Sequence, residues 1–171
     1  MKNKNILFVC TGNSARSIIA ESIIKNKYHN RFNAFSAGSN PTGKVNEDVK
    51  NYLISKNFNL LNCRSKNFDE FTNNKIKIDY VITVCNNANN EICPVWPKKD
   101  EIIHWDIEDP VVELKKANNI DKKKEILDTV FNKINKKIQM FVNEKYKSIF
   151  FSGIYWQQFF SHDYCWFWIN G

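Results

Sequence analysis

Ile6-Leu7-Phe8-Val9, running directly into Cys10-Thr11-Gly12-Asn13-Ser14-Ala15-Arg16, is the stretch whose reading decides the fold. Four consecutive apolar residues ending at a polar segment read as a short strand buried on both faces, as in a parallel sheet. From Ser17 to about Tyr28, Ile19, Ile23 and Ile24 recur at helical spacing, and Glu21 and Lys25 stand four apart on the polar side. The opening unit is therefore strand, polar loop, helix.

The loop has its own chemistry. Five residues separate Cys10 from Arg16. A turn of that length can aim the backbone N–H groups of Thr11, Gly12, Asn13, Ser14, Ala15 and Arg16 at one anion, with Gly12 supplying backbone freedom. The helix that follows adds its positive end, and the Arg16 guanidinium matches two oxygens of a tetrahedral anion. These charges are expected to lower the pKa of the Cys10 thiol and hold it as a nucleophilic thiolate. Ser17 is placed either to donate a hydroxyl hydrogen bond to the sulfur or to serve only the helix start. The competing reading is a buried strand-end cysteine beside an ordinary polar loop; the strand–loop–helix setting favours the catalytic one.

Outward from this unit, Phe32–Ser36 reads as a second strand, followed by a turn at Ala37-Gly38-Ser39-Asn40-Pro41, and Asn46–Asn57 as a helix. The β-branched run Ile78–Val84 reads as a central strand ending at Cys85. Asn86–Pro97 is a polar loop, Ile102–Trp105 a short strand, and Glu108-Asp109-Pro110 the loop after it. Asp121 to about Lys145 is a long amphipathic helix, with Ile126, Val130, Ile134, Ile138 and Phe141 along one side. The expectation is an α/β fold, a three-layer α/β/α arrangement around a mostly parallel four-stranded sheet. Ligands of such sheets sit at the carboxyl ends of the strands, where Cys10, Cys85 and Asp109 all fall.

A chain of 171 residues is long enough for one sizeable core, and 25% charged residues beside 43% hydrophobic ones exclude global disorder. The net charge of +7 suits small anions. Its lysines are scattered without aromatic interleaving, which argues against nucleic-acid binding. No secretory leader is legible, so a cytoplasmic location is expected, where the five cysteines are catalytic or buried sooner than cross-linked. No cysteine pair has zinc spacing. Cys63 and Cys165 carry no assigned role. The chain divides into residues 1–147 and an aromatic-rich extension, 148–171, whose one charged side chain is Asp163. The extension is too interrupted to span a membrane; packing, self-association and shallow membrane contact all stay open for it.

Val9 to Ser17 with Ala20-Glu21, and Ser36-Ala37-Gly38, resemble the low-molecular-weight protein tyrosine phosphatase superfamily. Within it, Val84-Cys85 through Cys93-Pro94, and His104-Trp105 through Asp109-Pro110, resemble the thioredoxin-coupled arsenate reductases. The likeness covers roughly residues 4 to 145. It implies that Cys10 attacks arsenate, Asp109 protonates the departing oxygen, Cys85 forms a disulfide with Cys10 as arsenite leaves, and Cys93 then takes over Cys85 for reduction by thioredoxin. Asp106 and Glu108 are neighbouring alternatives for the acid. His104 and Trp105 are structural or substrate-side neighbours. Seven residues separate Cys85 from Cys93, one more than is usual in the family. The same loop on a phosphatase would hydrolyse phosphomonoesters through a Cys10 phosphoenzyme, and that branch needs neither Cys85 nor Cys93. An adaptor without catalysis sits poorly with an intact Cys10, Arg16 and Asp109. Asn13, Glu21 and Ser36 match positions that bind potassium in some reductases, but Cys63-Arg64-Ser65-Lys66 occupies the region where those carry an aspartate, and Lys66 would oppose a bound cation. A monomer with no tightly bound cofactor is expected.

Overall fold

The apolar run lies inside β1 (Lys4–Cys10), where Ile6, Leu7, Phe8 and Val9 are fully buried. The computed structural model describes residues 3–72, 76–85 and 102–151. In it β1 pairs with β2 (Phe32–Gly38) on one side and β3 (Tyr80–Cys85) on the other, and β4 (Ile102–Asp106) lies outside β3, giving the order β2-β1-β3-β4. Every pairing is parallel, with Val9 opposite both Ala37 and Thr83, and Cys85 opposite Asp106. A central parallel strand is covered on both faces, which is why its sequence is continuously apolar instead of alternating. Parallel register also brings the carboxyl ends of β1 and β3, hence Cys10 and Cys85, to one edge of the sheet.

The helices are α1 (Arg16–Lys27), α2 (Glu47–Ser55), α3 (Pro110–Lys116) and α4 (Ile120–Phe151), with a 3₁₀ turn at Phe68–Phe71. They complete the three-layer α/β/α architecture. One sheet face, with Leu7, Val9 and Val81, packs against Phe71 and Ile78. On the other, Phe8 meets Trp105 with ring centroids 5.9 Å apart. Each large apolar side chain so buried contributes about 1.5–3 kcal/mol.

Three helices show why these residues fold as they do. In α2, Asn46 accepts from the Val49 N–H at 3.2 Å, and Glu47 and Asp48 face the positive helix end. Along α4 the buried stripe is Leu127, Val130, Phe131, Ile134 and Ile138, at spacings of three and four, with Ile126 half-buried at its margin. Tyr52 and Phe58 pack their rings against Phe131. The segment after β4 corrects the sequence reading. Asp109-Pro110 is a helix start: the Asp109 carboxylate accepts from the Val111 N–H at 3.2 Å and Pro110 occupies the first turn of α3.

The chain divides into two compact units, Met1–Ile138 and Gln139–Gly171. The division drawn from sequence between 147 and 148 falls inside α4. The loop 86–97 with Cys93, and the tail beyond 151 with Cys165, lie outside the described residues. No helix among the described residues is long and apolar enough to cross a membrane.

Candidate active site

α1 buries its first nine residues, Arg16 to Ile24, and four of them are polar: Arg16, Ser17, Glu21 and Ser22. Buried polar groups must find partners, and theirs build the site. Ser22 returns its hydroxyl to the Ile18 carbonyl at 2.7 Å; Ser17 reaches the loop at the end of β1, Arg16 reaches Ile107 and Asp109, and Glu21 reaches Ser36.

Cys10 is 2% exposed. Its sulfur receives the backbone N–H of Asn13 at 3.2 Å and lies 3.0 Å from Ser17 Oγ. Asn13 decides where the Ser17 proton goes. The Lys66 backbone N–H donates to Asn13 Oδ1 at 2.8 Å, which fixes the orientation of the amide. Its Nδ2 then donates to Ser17 Oγ at 2.8 Å and to Ser36 Oγ at 2.9 Å. Ser17, already an acceptor, has its own proton to give to Cys10. Ser36 gives its proton to Glu21 Oε2 at 2.5 Å.

The left-handed backbone of the loop falls on Asn13, at φ 44°, and not on Gly12, as the sequence suggested. Asparagine tolerates that conformation better than most residues, and here its amide is held on both ends. The required glycine is Gly38, at the end of β2: a Cβ there would stand 2.5 Å from the Thr11 carbonyl oxygen. Neighbouring backbone N–H groups brace the loop from outside, Ser39 to the Cys10 carbonyl, Asn40 to Thr11, Thr42 to Gly12 and Asn46 to Ser14, all at 3.0–3.2 Å. Thr11, Gly12 and Ser14 are half-buried, and Ala15 is buried.

Arg16 donates from Nη1 to the Ile107 carbonyl at 3.1 Å, and its Nη2 stands 3.4 Å from Asp109 Oδ2. The Arg16 side chain is 3% exposed and that of Asp109 34%. A fixed cation and a solvent-reachable carboxylate thus stand beside the loop. Asp106 and Glu108 are exposed. His104 Nδ1 is hydrogen-bonded to Thr83 Oγ1 at 2.9 Å, on the sheet face opposite Trp105. Cys85 is buried at the end of β3, and its carbonyl accepts from the Ile107 N–H at 3.1 Å. Cys63 is half-buried, beside Ser22.

Electrostatics modify one expectation. Burial pushes the Cys10 thiol up from its ordinary value, against Ser17, Arg16 and the Asn13 N–H, which all pull it down. The donors have the expected sign, but desolvation of a fully buried sulfur outweighs them.

The residues that match a potassium site do not fit one here. Asn13 Oδ1 is taken by the Lys66 N–H, and both Glu21 oxygens already have cations: Lys25 Nζ at 2.6 Å from Oε1 and Lys66 Nζ at 3.9 Å from Oε2. Like charges 4 Å apart repel by about 4 kcal/mol at an effective dielectric near 20, so a third cation on this carboxylate is disfavoured. The sequence set Lys66 against this site; the structure adds that its ammonium pairs with Glu21. Burial pushes the Lys66 ammonium down from the ordinary lysine value, and Glu21 holds it up.

A cavity of about 610 Å³ lies elsewhere, against Asp48, Tyr52, Asn119, Lys123 and Leu127. Its carboxylate, Asp48, is ion-paired to Lys123 at 3.0 Å, and no cysteine is among the described residues that line it.

Residues 5–149 match the family model described as low molecular weight phosphotyrosine protein phosphatase. The chain is 32% identical over 142 residues to an arsenate reductase of Halalkalibacterium halodurans, covering 82% of this chain and 96% of that one. Among solved structures it resembles an arsenate reductase from Archaeoglobus fulgidus, with 25% identity, a TM-score of 0.59, and 78% and 98% of the two chains covered. It shares its fold alone with a low molecular weight protein tyrosine phosphatase from T. tengcongensis, at 21% identity, TM-score 0.56, and 81% and 99% coverage.

Proposed function

The chain belongs to the low molecular weight phosphotyrosine protein phosphatase family, and from that premise we propose that it reduces arsenate to arsenite by a thiol relay through Cys10, Cys85 and Cys93, recycled by thioredoxin. One observation carries the reading within a family whose fold also serves phosphatases. β1 and β3 are parallel neighbours that both end in cysteine, so Cys10 and Cys85 share the edge of the sheet that holds the loop. Hydrolysis has no use for the second sulfur; a two-electron reduction does.

Arsenate enters the loop beside Arg16, whose fork and the surrounding N–H groups stabilise charge on its oxygens. Cys10 reacts as its thiolate, the form that Ser17, Arg16 and the Asn13 N–H stabilise against the cost of burial, and bonds to arsenic while Asp109 gives a proton to the oxygen that leaves as water. Cys85, as its thiolate, then attacks the Cys10 sulfur. The S–S bond forms, the S–As bond breaks with its electron pair passing to arsenic, and arsenite leaves. Cys93 attacks Cys85, which returns Cys10 as a thiolate. The dithiol of thioredoxin supplies the two electrons that reopen the Cys85–Cys93 disulfide.

The test is arsenate-dependent consumption of reduced thioredoxin. Wild type turns over repeatedly; Cys85→Ser and Cys93→Ser do not. Sustained turnover in both variants would sink the relay. Hydrolysis of p-nitrophenyl phosphate at enzymatic rates, lost in Cys10→Ser and retained in Cys85→Ser, with no arsenate reduction, would establish the phosphatase instead.

A further inference from the structure

Glu21 is a buried carboxylate, 1% exposed, at the far end of the hydrogen-bond chain that begins at the Cys10 sulfur. The chain runs from Cys10 to Ser17, to the Asn13 amide, to Ser36 and to Glu21. Asn13 is its divider: one Nδ2 hydrogen serves the sulfur through Ser17, the other serves the carboxylate through Ser36. An unpaired carboxylate buried in this position would draw the Ser36 hydroxyl, and with it the Asn13 amide.

Lys66 answers the charge from inside the protein. Its side chain is 6% exposed, its ammonium donates to the Arg64 carbonyl at 3.0 Å and stands 3.9 Å from Glu21 Oε2, and its backbone N–H fixes Asn13 Oδ1. The same residue therefore grips both the carboxylate and the divider. Lys25, on the outer side, is partly exposed and occupies the other oxygen. A cavity of about 380 Å³ opens on this group, lined by Glu21, Lys25, His29, Phe35, Asn62 and Lys66, so ions from solvent have a way in.

We propose that Lys66 is a positioning residue, a covalently tethered cation that stands in for a bound monovalent metal ion and makes the alignment of the Cys10 loop independent of potassium. The inference rests on the reading above only in taking Cys10 as the reacting sulfur.

Thermal unfolding of the full chain tests it without turnover, in potassium chloride against tetramethylammonium chloride at equal ionic strength. Wild type melts at the same temperature in both. Lys66→Ala vacates the ammonium while leaving Glu21 charged. It melts roughly 5–10 °C lower in tetramethylammonium, as expected for breaking a buried pair, and regains at least half of that loss, saturably, in potassium. Lys66→Met keeps the apolar stem and shows the same potassium response if the alanine variant does not fold. Lys66→Met with Glu21→Gln removes both charges and responds to neither salt. Arsenate turnover by Lys66→Ala falls several-fold in tetramethylammonium and recovers in potassium, a cation-selective rescue that a merely structural lysine would not give. Saturable stabilisation of wild type by potassium, or single variants indifferent to the choice of cation, overturns the proposal. Failure of arsenate turnover alongside the predicted melting shifts would instead count against the reductase reading alone.

Discussion

The Arg16 guanidinium stands 3.4 Å from the Asp109 carboxylate, the arginine buried and the aspartate one-third exposed. The two ends of the pair are not equivalent. Arg16 is anchored to the Ile107 carbonyl and opens its own helix, whereas Asp109 heads the short helix α3 and reaches solvent. The arginine is thereby held in place, while the carboxylate is open to water.

Asp109→Asn separates these duties. Asparagine caps a helix about as well as aspartate, so stability should change by less than about 1 kcal/mol. It cannot serve as the acid, so kcat for arsenate should fall by about 10²–10⁴-fold. KM should not rise, because an anion facing the incoming anion has been removed. Unchanged kcat in the thioredoxin-coupled assay would exclude Asp109 as proton donor.

The Cys10 thiol sets a pH dependence. Burial raises its pKa, so the rate of alkylation by iodoacetamide should climb through a midpoint above that of an ordinary thiol. Ser17 is the strongest of the groups pulling the other way; Ser17→Ala should move the midpoint further up and slow alkylation at neutral pH by about tenfold per unit. The native fold prefers the protonated sulfur, so this site's contribution is complete below the unfolded thiol's pKa and is lost as pH rises toward the folded one. A midpoint that falls in Ser17→Ala would show that the hydroxyl does not donate to the sulfur.

The loop's tolerance for side chains is uneven. A Cβ on Gly38 meets the Thr11 carbonyl at 2.5 Å and the Asn13 nitrogen at 3.1 Å, both backbone atoms, whereas one on Gly12 meets Thr42 Cγ2 at an ordinary 3.4 Å. Gly38→Ala should therefore cost about 1–3 kcal/mol by forcing the loop off β2, read from urea unfolding, while Gly12→Ala changes stability little. Equal losses in the two variants would contradict the packing of the loop on β2.

The sheet was legible because its signal is local. Ile6–Val9 and the β-branched run before Cys85 read as buried strands, and the polar segment between strand and helix read as an anion-binding loop. Asp109-Pro110 misled because a helix of seven residues has too few positions to show a period; its cap and its proline were visible, but they also describe a turn. The sequence could name Cys10, Arg16 and Ser17 as neighbours along the chain. The resemblance brought Lys66 to the site of Asn13 and Glu21, but residue spacing could not show its ammonium on Glu21 or its N–H on Asn13, because those contacts join segments far apart in the chain. The net pKa of Cys10 was hidden for a related reason: donors can be read from a motif, whereas the depth of burial belongs to the whole fold.

Asn13 offers the sharpest test of how the loop is held, because strain and hydrogen bonding can be separated at one position. At φ 44° a glycine fits without penalty, while an alanine has a Cβ in a conformation that costs about 1–2 kcal/mol. Both lose the amide that serves Ser17, Ser36 and the Lys66 N–H. Asn13→Gly should then lose about 2–4 kcal/mol, since buried groups are left without partners. Asn13→Ala should lose about 1–2 kcal/mol more. Alkylation of Cys10 should slow equally in the two, because the Ser17 proton is no longer directed to the sulfur in either. Urea unfolding and iodoacetamide kinetics measure the two effects independently. If Asn13→Gly were as stable as wild type, the amide would not be what aligns the loop, and the hydrogen-bond chain from Cys10 to Glu21 would lose its central link.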